Sequence, residues 1–501
     1  MTLARLAALA VLLTPTWMPV TLLIVRGVPP RARILLIAGV VAYVAAAAWM
    51  AAAWPAGLRP LALIVLAGWV TLAWRARPNA GQRRRLPPGS LGLRSSTRAL
   101  ADYCFYEKEA ARLGPVFKSN QYYRPVVCVV GLERCQRFMR EHRERLTSAP
   151  LPIDRYITGG LLRYMEPGAH GEYRKRLQSC MKARVLADCA KFIEHEAALE
   201  FSGMARRSGN TGSGVQPYKN IDRLVFRVLN RVFFGVLPDE PATARLRRLY
   251  RVVDHRRLWR DSMRTREAME EIVALVLEQA ARLGREEGAT PSSFLDQAIH
   301  NDPGLITDPV FVENLAYFLH IARCDLVGLC GWLLKMLVDH PDWGRQIRRS
   351  HEESPSAGAT SLADRFVDET LRLRQSEYLY RTTSDAIEFE GFAIPAGWLV
   401  RLCIRESHTS PDVFERPKEF NPDRFLNTTF SQEQYQPFGI YEHACIGVVI
   451  TKTISRIFVE QLATGFDLAV ARDGPMELGL HHHGHWKLNS RFRMRLTARP
   501  A

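Results

Sequence analysis

The sequence lacks any CxxC pair and any regular cysteine spacing, and its nine cysteines are scattered along 501 residues. Neither a disulfide scaffold nor a structural zinc site is therefore indicated, and the scatter is typical of a reducing compartment. Acidic residues are also in deficit, 51 Asp and Glu against 68 Lys and Arg, which gives a formal net charge of +17. No zinc-finger or RRM-like signature accompanies this charge, so anionic lipid and acidic proteins are expected partners and nucleic acid is not.

Internal repeats and low-complexity tracts are absent except for an apolar N-terminal region. Residues 6–25 and 34–58 carry no charge, and residues 60–74 form a third apolar run. The first two are long enough to cross a bilayer core, which needs about 20 residues. The third is shorter and could cross only with help or lie in the interface. An anchor is favoured over a signal peptide, because no small-residue cleavage site is clear and more apolar sequence follows the first run.

The arginines around these runs predict their orientation. Three lie between the first and second runs, one lies between the second and third, and five follow the third: Arg26, Arg31, Arg33, Arg59, Arg75, Arg77, Arg83, Arg84 and Arg85. The positive-inside rule then places everything after residue 75 on the cytosolic side. We expect an anchor of two to three transmembrane helices at 1–75, a basic, proline-containing hinge at 76–90, and one large domain at 91–501.

Beyond residue 90 the spacing of apolar residues is mainly helical, with a smaller β component. Either Thr307 or Asp308, followed by Pro309, is a good helix start and opens a long apolar helix that reaches His340. Further helices, a loop and a hairpin are expected, in chain order: helices at 183–204 and 220–236, a Gly/Ser/Asn loop at 208–214, a helix at 361–373 and a β-hairpin at 387–395.

The segment from Gln436 to Gly447 is the first candidate for chemistry. A turn-forming loop ends at Cys445, and an apolar helix begins at Val448. A thiol at a helix N-terminus meets free backbone N–H groups and the positive end of the dipole, which favour the thiolate. Gly447 lets a flat group lie close to the helix. Taken alone, however, such a cysteine is more often a buried, inert thiol.

This loop resembles the haem-binding loop of the cytochrome P450 family, Phe-x-x-Gly-x-Arg/His-x-Cys-x-Gly. The resemblance implies haem b as cofactor, with Cys445 as the ligand to the iron and Gly447 at the close approach. It makes Phe438 the ring that shields the thiolate and His443 a contact to a haem propionate. Tyr441 stands where the family has glycine.

Three further motifs follow the family's order. Glu369 and Arg372 resemble its Glu-x-x-Arg helix, and Arg424 lies in the segment that would complete a buried ion-pair network with them. His170 and Arg174 resemble a Trp/His-x-x-x-Arg helix that points to the propionates. Arg381 takes the place of a strand arginine for the other propionate, as a dianionic cofactor requires buried cations.

The long central helix departs from the family pattern at its middle. The family usually shows Ala/Gly-Gly-x-Asp/Glu-Thr-Thr there, where the acid and the alcohol relay protons to bound dioxygen. Ala322 and Asp325 match, Arg323 replaces glycine, and Leu326 replaces the first threonine. Ala322 and Leu326 are four residues apart and would share the haem-facing side. Either Asp325, water or a substrate hydroxyl delivers the proton, or the enzyme performs peroxide-driven oxidation or a rearrangement. In that setting Arg323 could hold an anionic substrate near the iron.

The resemblance implies a mainly α fold with a smaller β region, the cytochrome P450 fold, preceded by the transmembrane helices. It further implies a haem-dependent monooxygenase that oxidises a lipophilic small molecule with dioxygen and electrons from an NADPH-dependent reductase or other donor. The enzyme would face the cytosol from the endoplasmic reticulum in a eukaryote or from the inner membrane in a bacterium. A degenerate haem-binding protein without turnover is the alternative from another class. The histidines at 481–485 suggest a terminal hairpin more than a metal site.

Overall fold

The structure is a computed structural model. It describes twelve stretches of the chain: residues 86–121, 124–149, 161–162, 165, 167–211, 213–253, 262–284, 290–353, 360–375, 379–474, 477–478 and 486–500. The predicted anchor at 1–75, most of the predicted hinge and the histidines at 481–485 lie outside these residues. Within the described stretches, no helix combines the length and the apolar character that a membrane crossing requires.

Helices dominate the described residues. In chain order the α-helices are α1 Leu93–Ala101, α2 Phe105–Leu113, α3 Leu132–His142, α4 Pro167–Cys180, α5 Ala183–Asp188, α6 Ala190–Thr211, α7 Tyr218–Phe234, α8 Pro241–Val253, α9 Ser262–Leu283, α10 Phe294–Asn301, α11 Pro309–Asp339, α12 Pro341–Glu352, α13 Leu362–Thr370, α14 Ile404–Ser407 and α15 Val448–Gly465. Short 3-10 turns at Arg143–Arg145, Pro303–Thr307, Pro422–Phe425 and Tyr441–His443 and a π-helical turn at Leu371–Gln375 complete the helical part.

Strands are short and fewer. They are β1 Val116–Gln121, β2 Arg124–Val130, β3 Leu146–Ser148, β4 Leu379–Thr383, β5 Ile387–Phe389, β6 Phe392–Ile394, β7 Leu399–Cys403, β8 Phe466–Arg472, β9 Glu477–Leu478, β10 Trp486–Lys487 and β11 Arg493–Ala498. The mainly α class with a smaller β region is therefore confirmed.

The chain divides into two compact units, and the smaller contains the described residues up to Val127 together with Thr383–Trp398. Helices α1 and α2 pack on β1, which neighbours β2. The predicted hairpin is confirmed, since β5 and β6 pair antiparallel with Ile387 opposite Ile394. Its turn residues Glu390 and Gly391 both have positive φ, 49° and 79°, as a two-residue hairpin turn needs.

The larger unit contains Cys128–Thr382 and Leu399–Ala501. Helix α11 runs through its core and packs against α7, α9 and α15, while α15 also contacts α6, α12 and α13. Strands β7, β4 and β3 lie side by side in that order, with Arg381 opposite Val400. Strands β8 and β11 form a separate antiparallel pair that packs on α6.

Local signals explain where these helices begin. Asp308 caps α11 as predicted, because its Oδ1 accepts from the backbone of Val310 at 2.9 Å and Pro309 occupies the first turn. Ser361 caps α13 by accepting from the Asp364 backbone at 3.0 Å. The helices predicted at 220–236 and 361–373 are thus confirmed with shifted ends, 218–234 and 362–370 plus the π turn.

Two expectations near residue 200 were wrong. The helix predicted at 183–204 is divided at Cys189 into α5 and α6, and α6 continues to Thr211 through the predicted loop at 208–214. Ser208 is 3% exposed and its Oγ accepts from the Leu496 backbone at 3.2 Å. Packing against β11 thus holds the last turns of α6 despite their poor helix propensity.

Candidate active site

Cys445 lies between the 3-10 turn Tyr441–His443 and the first turn of α15. Its backbone N–H donates to the Phe438 carbonyl at 2.7 Å, and the Gly447 N–H donates to the Cys445 sulfur at 3.3 Å. All nine cysteines lie in the described residues, and Cys445 is the exposed one among them. The structure therefore places one accessible sulfur at a helix N-terminus, with a backbone N–H directed at it, as a reactive thiolate needs.

The other cysteines contrast with Cys445. Burial raises the pKa of Cys180 to about 12, and burial also raises the pKa of Cys330. Burial also raises the pKa of Cys128 and Cys135 well above the ordinary range. These thiols remain protonated and inert at neutral pH.

The backbone of the cysteine loop keeps the turn that glycine would supply. Gly439 has φ 83°, and Tyr441, the residue at the family's glycine position, has φ 61°. Tyr441 is also 39% exposed. The bulky side chain therefore does not change the turn; it occupies a left-handed conformation that is costly for a residue with a Cβ.

Space is left beside the sulfur at Gly447. A Cβ at Gly447 would lie 3.8 Å from the Cys445 sulfur and 3.9 Å from Ile450 Cδ1, with no protein atom closer. Phe438 is half-buried against the core next to this space. A flat group can thus approach the thiol at the start of α15.

Two arginines and a histidine lie in the same neighbourhood. His170 and Arg174 are one turn apart on α4, and the charges of both Arg174 and Arg381 act on His170. A Cys445 thiolate in turn acts on Arg174. Burial, followed by Arg174, lowers the pKa of His170, and burial lowers that of Arg174. Arg381 is 3% exposed on β4, and its Nη1 donates to the Tyr380 carbonyl at 2.8 Å.

This concentration of buried positive charge beside a thiol fits a flat, dianionic group. Buried cations of like sign repel one another, and an anion among them offsets that cost. The backbone of His443 ends the 3-10 turn that precedes Cys445. The residues present therefore suit a haem with its thiolate ligand and its two propionates.

Helix α4 is fixed to the start of α11. Tyr173 Oη donates to Asp308 Oδ2 at 2.6 Å, and Arg176 Nη1 lies 3.6 Å from the same oxygen. Asp308 therefore caps α11 with one oxygen and holds α4 with the other. This contact positions His170 and Arg174 relative to α11.

Glu369, Arg372 and Arg424 form the expected ion-pair network. Arg372 Nε lies 2.7 Å from Glu369 Oε2, and Arg424 Nε lies 3.5 Å from Glu369 Oε1. Arg372 also donates to the carbonyls of His408 and Pro417, at 2.8 and 2.7 Å. The side chains of Glu369 and Arg372 are both 0% exposed. The structure thus brings the three residues together in the interior.

Contacts that the sequence did not indicate connect this network to the cysteine loop. Lys452 Nζ, one turn into α15, lies 2.9 Å from Asp368 Oδ1, next to Glu369. His408 Nε2 accepts from the Gln436 backbone at 3.0 Å, where the loop begins. Arg143 and Glu442 form an ion pair at 2.9 Å that fixes the 3-10 turn before Cys445.

The middle of α11 presents the three residues expected at the distal side. Leu326 is 2% exposed within the core, Ala322 is half-buried against that core, and Asp325 is half-buried. Arg323 turns toward α7, where its Nη2 lies 2.6 Å from Asp222 Oδ1. Arg323 is therefore engaged with a protein carboxylate and is not the separate substrate cation considered from the sequence.

Known proteins are similar to this chain in sequence and in fold. The sequence model of the family described as Cytochrome P450 matches residues 332–492. Abscisic acid 8'-hydroxylase 3 of Oryza sativa subsp. indica is 25% identical over 415 residues, which cover 76% of this chain and 81% of that protein. Ent-kaurenoic acid oxidase 1 of Hordeum vulgare is 24% identical over 468 residues, covering 84% and 93%.

Solved structures agree on the fold. A retinoic acid-bound cyanobacterial CYP120A1 superposes with a TM-score of 0.67 at 20% identity, covering 83% of this chain and all of that chain, 100%. A zebrafish cytochrome P450 with abiraterone gives 0.62 at 15% identity, covering 79% and 99%. These matches support the cytochrome P450 superfamily for the chain. They likewise support an oxidoreductase of the monooxygenase class, and cytochromes P450 bind haem b.

Proposed function

We propose that the chain is a haem-dependent monooxygenase of a lipophilic small molecule, supplied with electrons by an NADPH-dependent reductase, and that Cys445 is the ligand to the haem iron. One observation carries the assignment of the ligand: the exposed Cys445 sulfur sits at the start of α15 and accepts from the Gly447 N–H at 3.3 Å. When bound, a haem with a thiolate ligand supplies the electron density that favours O–O cleavage.

The surrounding residues hold and shield this group. Arg174 and Arg381 would neutralise the propionates, and His170, together with His443, would contact them. Phe438 shields the sulfur, and Gly447 leaves room for the macrocycle. The Glu369, Arg372 and Arg424 network keeps the cysteine side of the domain rigid. The position of each residue supports its role, except that the role proposed for the His443 side chain is supported by the sequence motif alone.

Proton delivery in this chain differs from the family pattern at Leu326. A leucine has no hydroxyl, so the proton comes from Asp325, from ordered water or from a hydroxyl of the substrate. Asp325 is half-buried one residue before Leu326, and its Oδ1 is inaccessible to solvent. Ala322, one turn earlier, leaves room for the substrate or for water.

The ligand assignment is tested with Cys445→Ser. The reduced, carbon monoxide-bound wild-type protein should show the absorption band of a thiolate-ligated haem. The serine variant should lose this band, because an alcohol does not ionise as a thiol does. Persistence of the band in the variant would contradict the assignment.

The reaction is tested by comparing reductase plus dioxygen with peroxide alone. A panel of lipophilic acids is suitable. It includes abscisic acid and ent-kaurenoic acid, which appear in the names of the two plant relatives. We expect product only with reductase, and we expect Leu326→Thr to raise product per NADPH, since a positioned acid contributes about 10²–10⁴-fold in favourable cases. Leu333→Thr, equally buried on α11, controls for lost packing. Full product with peroxide alone would favour an atypical enzyme that uses peroxide. No product under either condition would favour a degenerate haem protein without turnover.

We further propose that residues 1–75 anchor the enzyme in a membrane, multi-pass, that 76–90 form a hinge, and that the catalytic domain at 91–501 faces the cytosol. The proposal is supported by the two uncharged runs, each long enough to cross a bilayer, and by the arginines that follow residue 75. An anchored domain beside the bilayer also suits a substrate that partitions into lipid.

A further inference from the structure

Four arginines converge where helices α7, α8 and α11 meet. Arg223 lies on α7, Arg247 and Arg251 lie one turn apart on the same face of α8, and Arg323 lies on α11. Helix α7 contacts both α8 and α11, and the charges of Arg223, Arg251, Arg323 and Asp222 all act on Arg247. We call these four residues the arginine cluster.

Among the described residues, carboxylates compensate only part of this charge. Arg323 forms an ion pair with Asp222, in which Arg323 Nε lies 2.8 Å and Nη2 lies 2.6 Å from Asp222 Oδ1. Arg223 lies 3.4 Å from Glu200, a carboxylate that it shares with two other arginines, Arg207 and Arg227. Helix α8 itself has no acidic residue between Pro241 and Val253.

Arg247 is the uncompensated member. It is half-buried, its Nε is inaccessible to solvent and has no hydrogen-bond partner, and no ion pair reaches it among the residues that the structure describes. Burial, followed by the repulsion of Arg251, lowers the pKa of Arg247. A half-buried guanidinium in a group of like charges destabilises the fold unless an anion compensates it.

Exposure to solvent differs among the members of the arginine cluster. Arg323 closes its inner wall, with a side chain 11% exposed and its guanidinium 5.6 Å from the Phe226 ring centroid. Arg223, 39% exposed, and the exposed Arg251 form the outer rim. The outer part of the arginine cluster is therefore accessible to an anion from solvent.

We infer that the arginine cluster binds an oxyanion, a phosphate or a carboxylate, through Arg247 with help from Arg223 and Arg251. A guanidinium presents a planar fork of N–H donors that matches the two oxygens of either group. Four arginines against Asp222 and the shared Glu200 leave an excess of at least two positive charges. This excess favours an anion of more than one charge, or a carboxylate attached to a larger ligand. The site is separate from the cysteine loop and does not depend on the haem chemistry.

Binding of inorganic phosphate to the purified full-length protein tests the inference. Isothermal titration is carried out in a chloride-containing buffer at constant ionic strength, so that general screening is equal in all samples. Arg247→Gln should raise the Kd for phosphate about tenfold or more. Arg248→Gln, which removes an exposed arginine from the next position of α8, should change it less than about twofold. Equal weakening by both variants would show general surface attraction and overturn the inference.

A second titration with laurate distinguishes the source of the oxyanion. If the protein binds laurate but not phosphate, and Arg247→Gln weakens laurate binding about tenfold, the site is assigned to the carboxylate of a lipophilic acid. Phosphate binding with laurate unaffected by Arg247→Gln assigns it to free phosphate. If Arg247→Gln affects neither ligand, the inference is overturned.

Thermal stability without added phosphate provides an independent readout. Loss of Arg247 should raise Tm, because the repulsion within the arginine cluster falls and no ion pair to a described residue is lost. Arg248→Gln should leave Tm nearly unchanged. A lower Tm for Arg247→Gln would mean that Arg247 stabilises the fold through protein contacts, contrary to the inference.

Discussion

The backbone of Tyr441 has a conformation that usually requires glycine. Its φ of 61° lies in the left-handed region, which costs a residue with a Cβ about 1–2 kcal/mol. The conformation persists because neighbouring bonds impose it: the Ala444 N–H donates to the Tyr441 carbonyl at 2.9 Å, and Glu442 is paired with Arg143. The strain is thus located four residues before the proposed iron ligand.

Substitution at Tyr441 should reveal this strain. Tyr441→Gly removes the steric cost but adds about 0.5–1 kcal/mol of backbone entropy, so the free energy of unfolding should rise by up to about 1 kcal/mol. Tyr441→Val should lower it by about 1 kcal/mol or more, because a β-branched residue tolerates positive φ poorly. Urea unfolding measures both, and Tyr441→Ala separates the ring from the backbone. A glycine variant less stable than alanine would contradict the role of backbone strain.

At the residue scale, local patterns predicted what is close in sequence. Glu369 and Arg372 are three residues apart and share a helix face, and their pairing follows from that spacing. The pairs Arg143–Glu442 and Asp368–Lys452 span hundreds or tens of residues, and nothing in the neighbourhood of either member marks it. Only the packing of α13 and α15 brings Asp368 to Lys452, so such contacts could not be predicted from one sequence.

At the scale of elements, the Glu369–Arg372 pair joins α13 to the segment around Pro417. Removing one partner leaves a buried charge without compensation, which costs about 3–5 kcal/mol. Glu369→Ala should therefore lower the free energy of unfolding by that amount and reduce haem content, measured by urea unfolding and by absorption. Arg345→Ala provides the matched control, since Arg345 and Asp342 have the same spacing but are 55% and 75% exposed. That control should cost less than about 1 kcal/mol, and an equal loss in both variants would contradict the buried network.

The ends of helices were predicted correctly where a capping side chain determines them. The predictions were wrong where tertiary packing determines the end. Asp308 before Pro309 fixes the start of α11 by capping, which the sequence displays. The end of α6 is different: Gly209, Asn210 and Ser208 favour a loop, yet Ser208 hydrogen-bonds the Leu496 backbone of β11. That contact spans 288 positions and overrides local propensity. The π-helical turn at Leu371–Gln375 likewise had no signal in the sequence.

At the scale of the whole molecule, His408 links stability to pH. Burial, followed by the charge of Arg372, lowers the pKa of His408 to about 3, while Glu406 acts in the opposite direction. The neutral ring accepts from the Gln436 backbone at 3.0 Å, and a protonated ring could not. Because the folded pKa lies below the ordinary value of 6.5, the unfolded state binds the proton first as pH falls.

His408 should therefore contribute stability that is fully present above pH 6.5 and is lost as pH falls from 6.5 toward 3. The loss in the wild-type protein should approach about 1.4 kcal/mol per pH unit from this residue. His408→Gln should be less stable at pH 7.5 but should show a shallower slope between about pH 6.5 and 5, measured by urea unfolding. His300→Gln, an exposed histidine on α10, is the control. A slope equal to that of the wild-type protein would contradict this linkage.

Membrane attachment is the remaining whole-molecule prediction, and it rests on residues 1–75. Two uncharged runs of about 20 residues or more cannot expose their side chains to water without a large cost, whereas a bilayer accommodates them. The full-length protein should stay in the membrane pellet after alkaline carbonate, and a variant that begins at residue 76 should be released. Protease added to sealed vesicles with the cytosolic face outward should remove the domain at 91–501, because the arginines after residue 75 hold it on that side. Release of the full-length protein by carbonate would contradict the anchor, and protection of the domain would contradict its orientation.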